Sequence, residues 1–128
     1  MSSAYCTKSN AVDIFGNANI TAWSDIDNDG NAATIAARIA RGIVVVSDKI
    51  DDVMRRSPYR IPLTTPAGAT PTAIVDIAAK LLGVWLYTPR GVEDFTGERP
   101  IHMLTPIEDD AKKELEEIRS GRKPIDAL

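Results

Sequence analysis

Three places in the sequence carry side chains able to ligate or react. The stretch Asp25-x-Asp27-x-Asp29-Gly30 has the alternating carboxylates and the glycine of the first half of an EF-hand loop, in which such oxygens meet one hard cation. The second half departs from that pattern. Its ninth position is Ala33, and its twelfth, which should be a bidentate glutamate, is Ala36. Asp25, Asp27 and Asp29 are therefore weak metal candidates, and the stretch reads first as an acidic turn that caps the helix after it. His102 is the only histidine. It stands near Pro100 and Met103 without the partners an acid-base site requires, so it reads as structural or solvated. Cys6, the only cysteine, can form no internal disulfide, and no Cys/His spacing suits zinc. No residue near it in sequence would activate its thiol. The sequence contains no Gly-rich phosphate loop, nucleophile elbow or metalloprotease motif. The expectation is a protein that is not an enzyme and needs no cofactor.

Bulk properties narrow the class further. A chain of 128 residues suits one domain, since domains usually run to about 100–150 residues. The formal net charge is −3, and Lys and Arg are scattered among Asp and Glu. A protein that grips DNA by neutralising phosphates needs a concentrated basic footprint, so this distribution argues against that role. The first residues lack the basic and apolar regions of a signal peptide, and no apolar run approaches the roughly 18 residues of a membrane span. Synthesis in the cytoplasm, without membrane insertion, is expected.

Helices must position whatever the chain presents. Thr7 and Ser9 can cap a short helix through Ala11, Val12, Ile14 and Phe15, which Gly16 stops. Asn17 can cap a second, through Ile20, Ala22 and Trp23, that ends in the acidic loop. From Asn31 to Ser57, Ile35, Ile39, Ile43, Val46, Ile50 and Val53 recur at steps of three and four, which predicts one long helix with a weak point near Gly42. Within it, Asp51 with Arg55 and Asp52 with Arg56 stand at i,i+4 on what reads as a solvated face. Prolines 58, 62, 66 and 71 with Gly68 favour an extended or hairpin-like excursion. Thr70 as cap and Pro71 then open a helix with a broad apolar face, Ile74, Ile77, Ala78, Leu81, Leu82 and Trp85, expected to be the most buried element. Trp23, Trp85 and Tyr87 read as core aromatics before interface ones. The segment from Pro89 to Leu104 reads as irregular. Thr105, Pro106 and Glu108 form a capping-box pattern for a last helix with the stripe Ile107, Ala111, Leu115 and Ile118, ended by Gly121. The predicted fold is all-α: a small helical bundle, residues 1–121, with one long central helix, a Pro-rich loop or hairpin, and a flexible C-terminal tail, residues 122–128.

In this order and spacing the chain resembles the small helical head-tail connector proteins of tailed bacteriophages, in particular the Mu-like adaptor or head-completion group. The pieces that carry the resemblance are Tyr5-Cys6-Thr7 before the first helix, the turn from Asp25 to Gly30, and Ile50-Asp51-Asp52-Val53 at the end of the long helix. Tyr59-Arg60-Ile61-Pro62-Leu63, the helix opened by Pro71, and Ile118-Arg119-Ser120-Gly121-Arg122-Lys123 complete them. The resemblance implies a structural neck protein that self-associates into a ring, usually of about twelve copies, beneath the portal protein of a filled head. It further implies a virion location and a next neck or tail-terminator protein as second partner, with DNA passing through the channel unbound. On this reading Arg122, Lys123, Pro124, Ile125 and Leu128 bind the portal, the apolar residues anchoring and the cations positioning them. Tyr59, Arg60, Pro62 and Leu63 are candidates for ring or tail contacts, because prolines limit the entropy lost on binding. The alternative from another class is a small helical protein-binding module with a weakly calcium-responsive acidic loop.

Overall fold

A computed structural model describes residues 4–25, 30–59, 61, 63–66, 68–87, 104–122 and 125, and the backbone of residues 94–96 and 99–101. Helix α1, Lys8–Phe15, begins with a reciprocal cap. The Asn10 N–H donates to Thr7 Oγ1 at 3.4 Å and the Thr7 N–H donates to Asn10 Oδ1 at 2.7 Å, so two otherwise unpaired amides are satisfied at once. Gly16, at φ +91°, turns the chain into α2, Asn17–Ser24. Gly16 rather than Asn17 holds the cap position of α2, since a positive φ at the junction lets the second helix start without a spacer.

Helix α3, Ala32–Met54, is the long central helix. Its cap is Asn31, whose Oδ1 accepts from the Ala33 and Thr34 N–H groups at 3.0 and 3.2 Å. The acidic turn therefore leads into the helix without capping it. The helix runs unbroken through Gly42, where the sequence predicts weakness. A Cβ at Gly42 would lie 2.6 Å from Leu82 Cδ1 and 2.8–2.9 Å from the Trp85 ring. Glycine thus gives up about 1 kcal/mol of helix propensity and admits the neighbouring helix at close range. The Val-rich stretch at 43–46 stays helical because Ile43 and Val46 keep the three-and-four spacing of the face that packs, while Val44 points outward.

After α3, the Ser57 N–H and Oγ donate to the Met54 carbonyl at 2.9 and 2.6 Å, and Pro58 prevents continuation. The excursion that follows has a hairpin-like tip, with the Thr65 N–H donating to Ala69 O at 2.7 Å and the Gly68 N–H to Thr65 O at 2.9 Å. Helix α4, Thr72–Tyr87, starts one residue later than the Thr70 cap predicts. The Pro71 carbonyl accepts from the Ile74 and Val75 N–H groups at 3.0 Å, which places Pro71 itself at the cap. As expected, α4 is the buried element: it packs against α1, α2, α3 and α5, with Ile74, Ile77, Ala78 and Leu82 wholly enclosed. The ring of Phe15 from α1 lies so close to Gly83 that no Cβ fits there.

The segment predicted as irregular contains a small antiparallel hairpin, β1 Asp94–Thr96 with β2 Arg99–Ile101, paired Asp94 to Ile101, Phe95 to Pro100 and Thr96 to Arg99. Two residues, Gly97 and Glu98, separate the strands, and glycine first in a two-residue link is a hairpin signal that the surrounding charge and proline obscured. Helix α5, Thr105–Arg119, lacks the predicted capping box. Leu104 occupies the cap position and is buried with Thr105; enclosing the leucine moves the boundary by one residue and carries Thr105 into the helix. Pro106 stays in the first turn, where a missing N–H costs nothing. Gly121, at φ +84°, follows the C-cap Ser120.

One buried polar cluster joins three distant segments. The Tyr5 N–H donates to Ser47 Oγ at 3.1 Å, the Tyr5 hydroxyl donates to the Asp51 carboxyl, and the Leu63 N–H donates to the Tyr5 hydroxyl at 3.0 Å. Tyr5 and Asp51 are each 1 % exposed. Asp51 therefore leaves the solvated face on which sequence spacing puts it, and Arg55 pairs with Asp52 instead. Burial, and next the hydrogen bond to Asp51, hold the Tyr5 phenol well above its ordinary range. Burial also pushes the adjacent Cys6 thiol up to about 11.

Replacing Tyr5 by Phe removes a donor from a buried carboxyl and an acceptor from a buried amide. A loss of about 3 kcal/mol is expected, read as a lower urea midpoint at unchanged slope. In Gly83→Ala the new methyl must displace Phe15, at an expected cost of about 1–3 kcal/mol. Adding Phe15→Ala should make the glycine change much cheaper, a coupling that a double-mutant cycle measures. The raised values of Tyr5 and Cys6 also set an alkaline limit. The unfolded chain releases these protons first, so stability should be constant below the ordinary thiol range and fall as pH rises toward 11, checked by denaturation between pH 8 and pH 11.

Candidate functional site

Helices α3, α4 and α5 do not close completely on one another. Between them runs an open trough of about 920 Å³. Its floor is apolar: Val46, Ile50 and Val53 from α3, Leu81, Val84 and Trp85 from α4, and Leu115 from α5. Its lips are charged, with Arg38, Lys49 and Asp52 along α3 and Glu108, Lys112 and Glu116 along α5. A shallower extension of about 330 Å³ continues past Asp52 and Glu116 to Arg56 and Arg119.

The lip charges are unequally satisfied. Glu108 pairs with Lys112 at 3.4 Å, and Asp52 with Arg55. Glu116 is held by two nitrogens of Arg119, one at 2.7 Å, and this hydrogen-bonded pairing lowers the Glu116 pKa and raises that of Arg119. The Arg38 guanidinium lies 3.8 Å from the centroid of the Trp85 ring, a cation–π contact. Its buried Nε has no acceptor among the described residues, and burial lowers its pKa. An apolar floor between charged lips suits an apolar helix face, recognised by burial and oriented at its edges.

Sequence reasoning missed this trough. Val53, Leu81, Trp85 and Leu115 each belong to an apolar stripe and read as core. The available signal is the breadth of the α4 face, which exceeds what its neighbours cover. Trp23 does read correctly as core: it stacks edge-on with Phe15 at 5.4 Å and with Tyr87 at 5.1 Å between ring centroids.

The tail is seated at one point. The Ile125 N–H donates to the Tyr59 hydroxyl at 3.1 Å, and Ile125 is half-buried against the core together with Tyr59 and Ile61. A free tail at this position is thus corrected, because the phenol offers an acceptor beside an apolar patch. Arg122 is exposed, with its Nε donating to Ser120 Oγ at 3.1 Å. Lys123, Pro124 and Leu128 lie outside the described residues, as do Arg60 and Pro62 of the loop candidates. Leu63 is wholly buried, and Tyr59 is the loop candidate that reaches another element at the surface.

In the acidic turn, Asp25 Oδ2 accepts from the Gly30 N–H at 3.1 Å, closing the turn with a carboxylate that sequence offers to a cation. Asp27 and Asp29 lie outside the described residues, as does His102. Among the described residues no three His, Cys, Asp or Glu side chains are placed to share a metal, and no helix is long and apolar enough to cross a membrane. Cys6 is buried.

No curated protein matches the chain. A family model described as Bacteriophage Mu, Gp36 matches residues 5–127, a span that holds the five helices of the described residues, the trough and the contact between Tyr59 and Ile125. The chain therefore belongs to the bacteriophage Mu Gp36 family, among phage structural or morphogenesis proteins.

Proposed function

We propose that this protein is a neck component that forms a ring beneath the portal and links the DNA-filled head to the tail, acting by assembly without catalysis. The observation that carries the reading is the family match across residues 5–127, in a fold that opens an apolar trough suited to a protein partner. The charge distribution is compatible with a channel wall. A net charge of −3 with scattered cations gives little counterion release on contact with duplex DNA, so DNA would slide past without being held.

The tail supplies the portal contact in this reading. Ile125 rests on Tyr59 through one hydrogen bond and a half-buried side chain, an interaction worth only about 1–2 kcal/mol. A portal groove that buries the residues around Ile125 more completely outcompetes it. The tail exchanges one seat for another, with Arg122 and Lys123 setting its direction. The next neck or tail-terminator protein binds the opposite face of the ring.

The test mixes the purified chain with its cognate portal assembly and examines the product by negative-stain electron microscopy. A further ring of density beneath the portal is expected, and its absence with a portal competent for other partners sinks the reading. A chain ending at Gly121 should keep its helix content by circular dichroism yet fail to dock. Normal docking of that truncated chain would move the portal contact away from the tail.

A further inference from the structure

Helix α3 is uncovered on two sides. One side carries Arg38, Lys49 and Val53 along the trough. The other displays Ala33, Ala36, Ala37, Ala40 and Val44, all exposed, with Val44 48 % exposed. At about 100° per residue the two sets point in opposite directions around the helix axis. Farther along, the outward face continues into Ser47 and Asp51, which Tyr5 covers. It is thus a packing face that loses its cover in the first half of the helix. The steps 33, 37, 40 and 44 are those of a helix-packing seam.

We propose that the trough receives α3 of a second copy, seated through this Ala-rich face, so that the chains associate head to tail. The trough is an opening between two helices over a third, and such a space takes a whole helix rather than single side chains. Alanines allow the axes to approach to about 8 Å. Along α3 the trough extends for about 22 Å and the Ala-rich face for about 17 Å, at 1.5 Å per residue. Edge charges are complementary. Among the described residues Lys49 on the α3 lip has no carboxylate partner, and Asp48 on one edge of the Ala-rich face has no cation, so that edge suits the α3 lip. Two Ala-rich faces pairing with each other would leave both troughs open, and two troughs cannot fill one another. Only the unlike pairing covers both, and because each copy carries both surfaces it propagates into a ring or a filament. The contact deepens the self-association in the neck reading by naming its two faces.

Cross-linking the full chain tests this. Ala40→Cys and Lys112→Cys lie on the two faces, both exposed, while the native Cys6 is 4 % exposed. The chain is held at about 1 mM, where even weak contacts are populated, and treated with a short bis-maleimide. The double variant should give a ladder of multimers, and a mixture of the two single variants should give dimers containing one of each. A dimer from Ala40→Cys alone, or no ladder from the double variant, overturns the proposal. In a second variant, Ala37→Glu with Ala40→Glu, association by sedimentation should weaken by at least about tenfold, because two charges would be buried without partners; unchanged association overturns the proposal. Portal docking is read separately: docking without a ladder refutes this contact alone, and a ladder without docking refutes the neck reading alone.

Discussion

The hydrogen-bonded set around the Tyr5 hydroxyl is the constraint on which the rest of the fold depends. A carboxyl group enclosed in an apolar interior destabilises the folded state by several kcal/mol unless it is met by a donor. Tyr5 meets Asp51 and at the same time accepts the Leu63 amide. The phenol therefore settles the position of the N-terminal segment against α3 and the path of the Pro-rich loop together. With those placed, Tyr5, Leu63, Met54 and Ile50 close one end of the core, and α4 lies against the remainder. The specificity comes from geometry: each of the three segments supplies an atom that the other two cannot replace.

Close approach is the second organising theme. Gly42 and Gly83 lie where α4 meets α3 and where α1 meets α4, and at both a single methyl would meet a neighbouring ring or leucine. The helices are thereby drawn in around α4 on those sides. On the α5 side no such device operates. There α4 presents Leu81 and Trp85 to a gap, and Arg38 lies over the half-buried indole. The trough is what remains when one helix has more apolar breadth than its neighbours have surface.

Much of this architecture was legible in the sequence, for identifiable reasons. The period of three and four from Ile35 to Val53 gave α3, Pro58 gave its end, and the breadth of the face from Ile74 to Trp85 gave the buried rank of α4. Capping was less legible, since Asn31, Pro71 and Leu104 hold positions for which neighbouring residues are equally good candidates, and burial decided among them. Asp51 was misplaced because charge spacing along one helix reports nothing about a tyrosine more than forty residues away. The trough was illegible because an apolar residue beside a gap and one beside a neighbour have the same pattern. The seat of Ile125 on Tyr59 depends on a contact that only the folded loop creates.

The Pro-rich segment from Tyr59 to Leu63 holds both ends of the fold. Leu63 bonds to Tyr5 at the start and Tyr59 bonds to Ile125 at the finish, so the two ends converge on one side of the molecule and share a single stretch of backbone as anchor. That arrangement makes the segment a mechanical junction. A pull on the tail at Ile125 meets Tyr59, four residues from the Leu63 amide that bonds to Tyr5 and so to the buried face of α3.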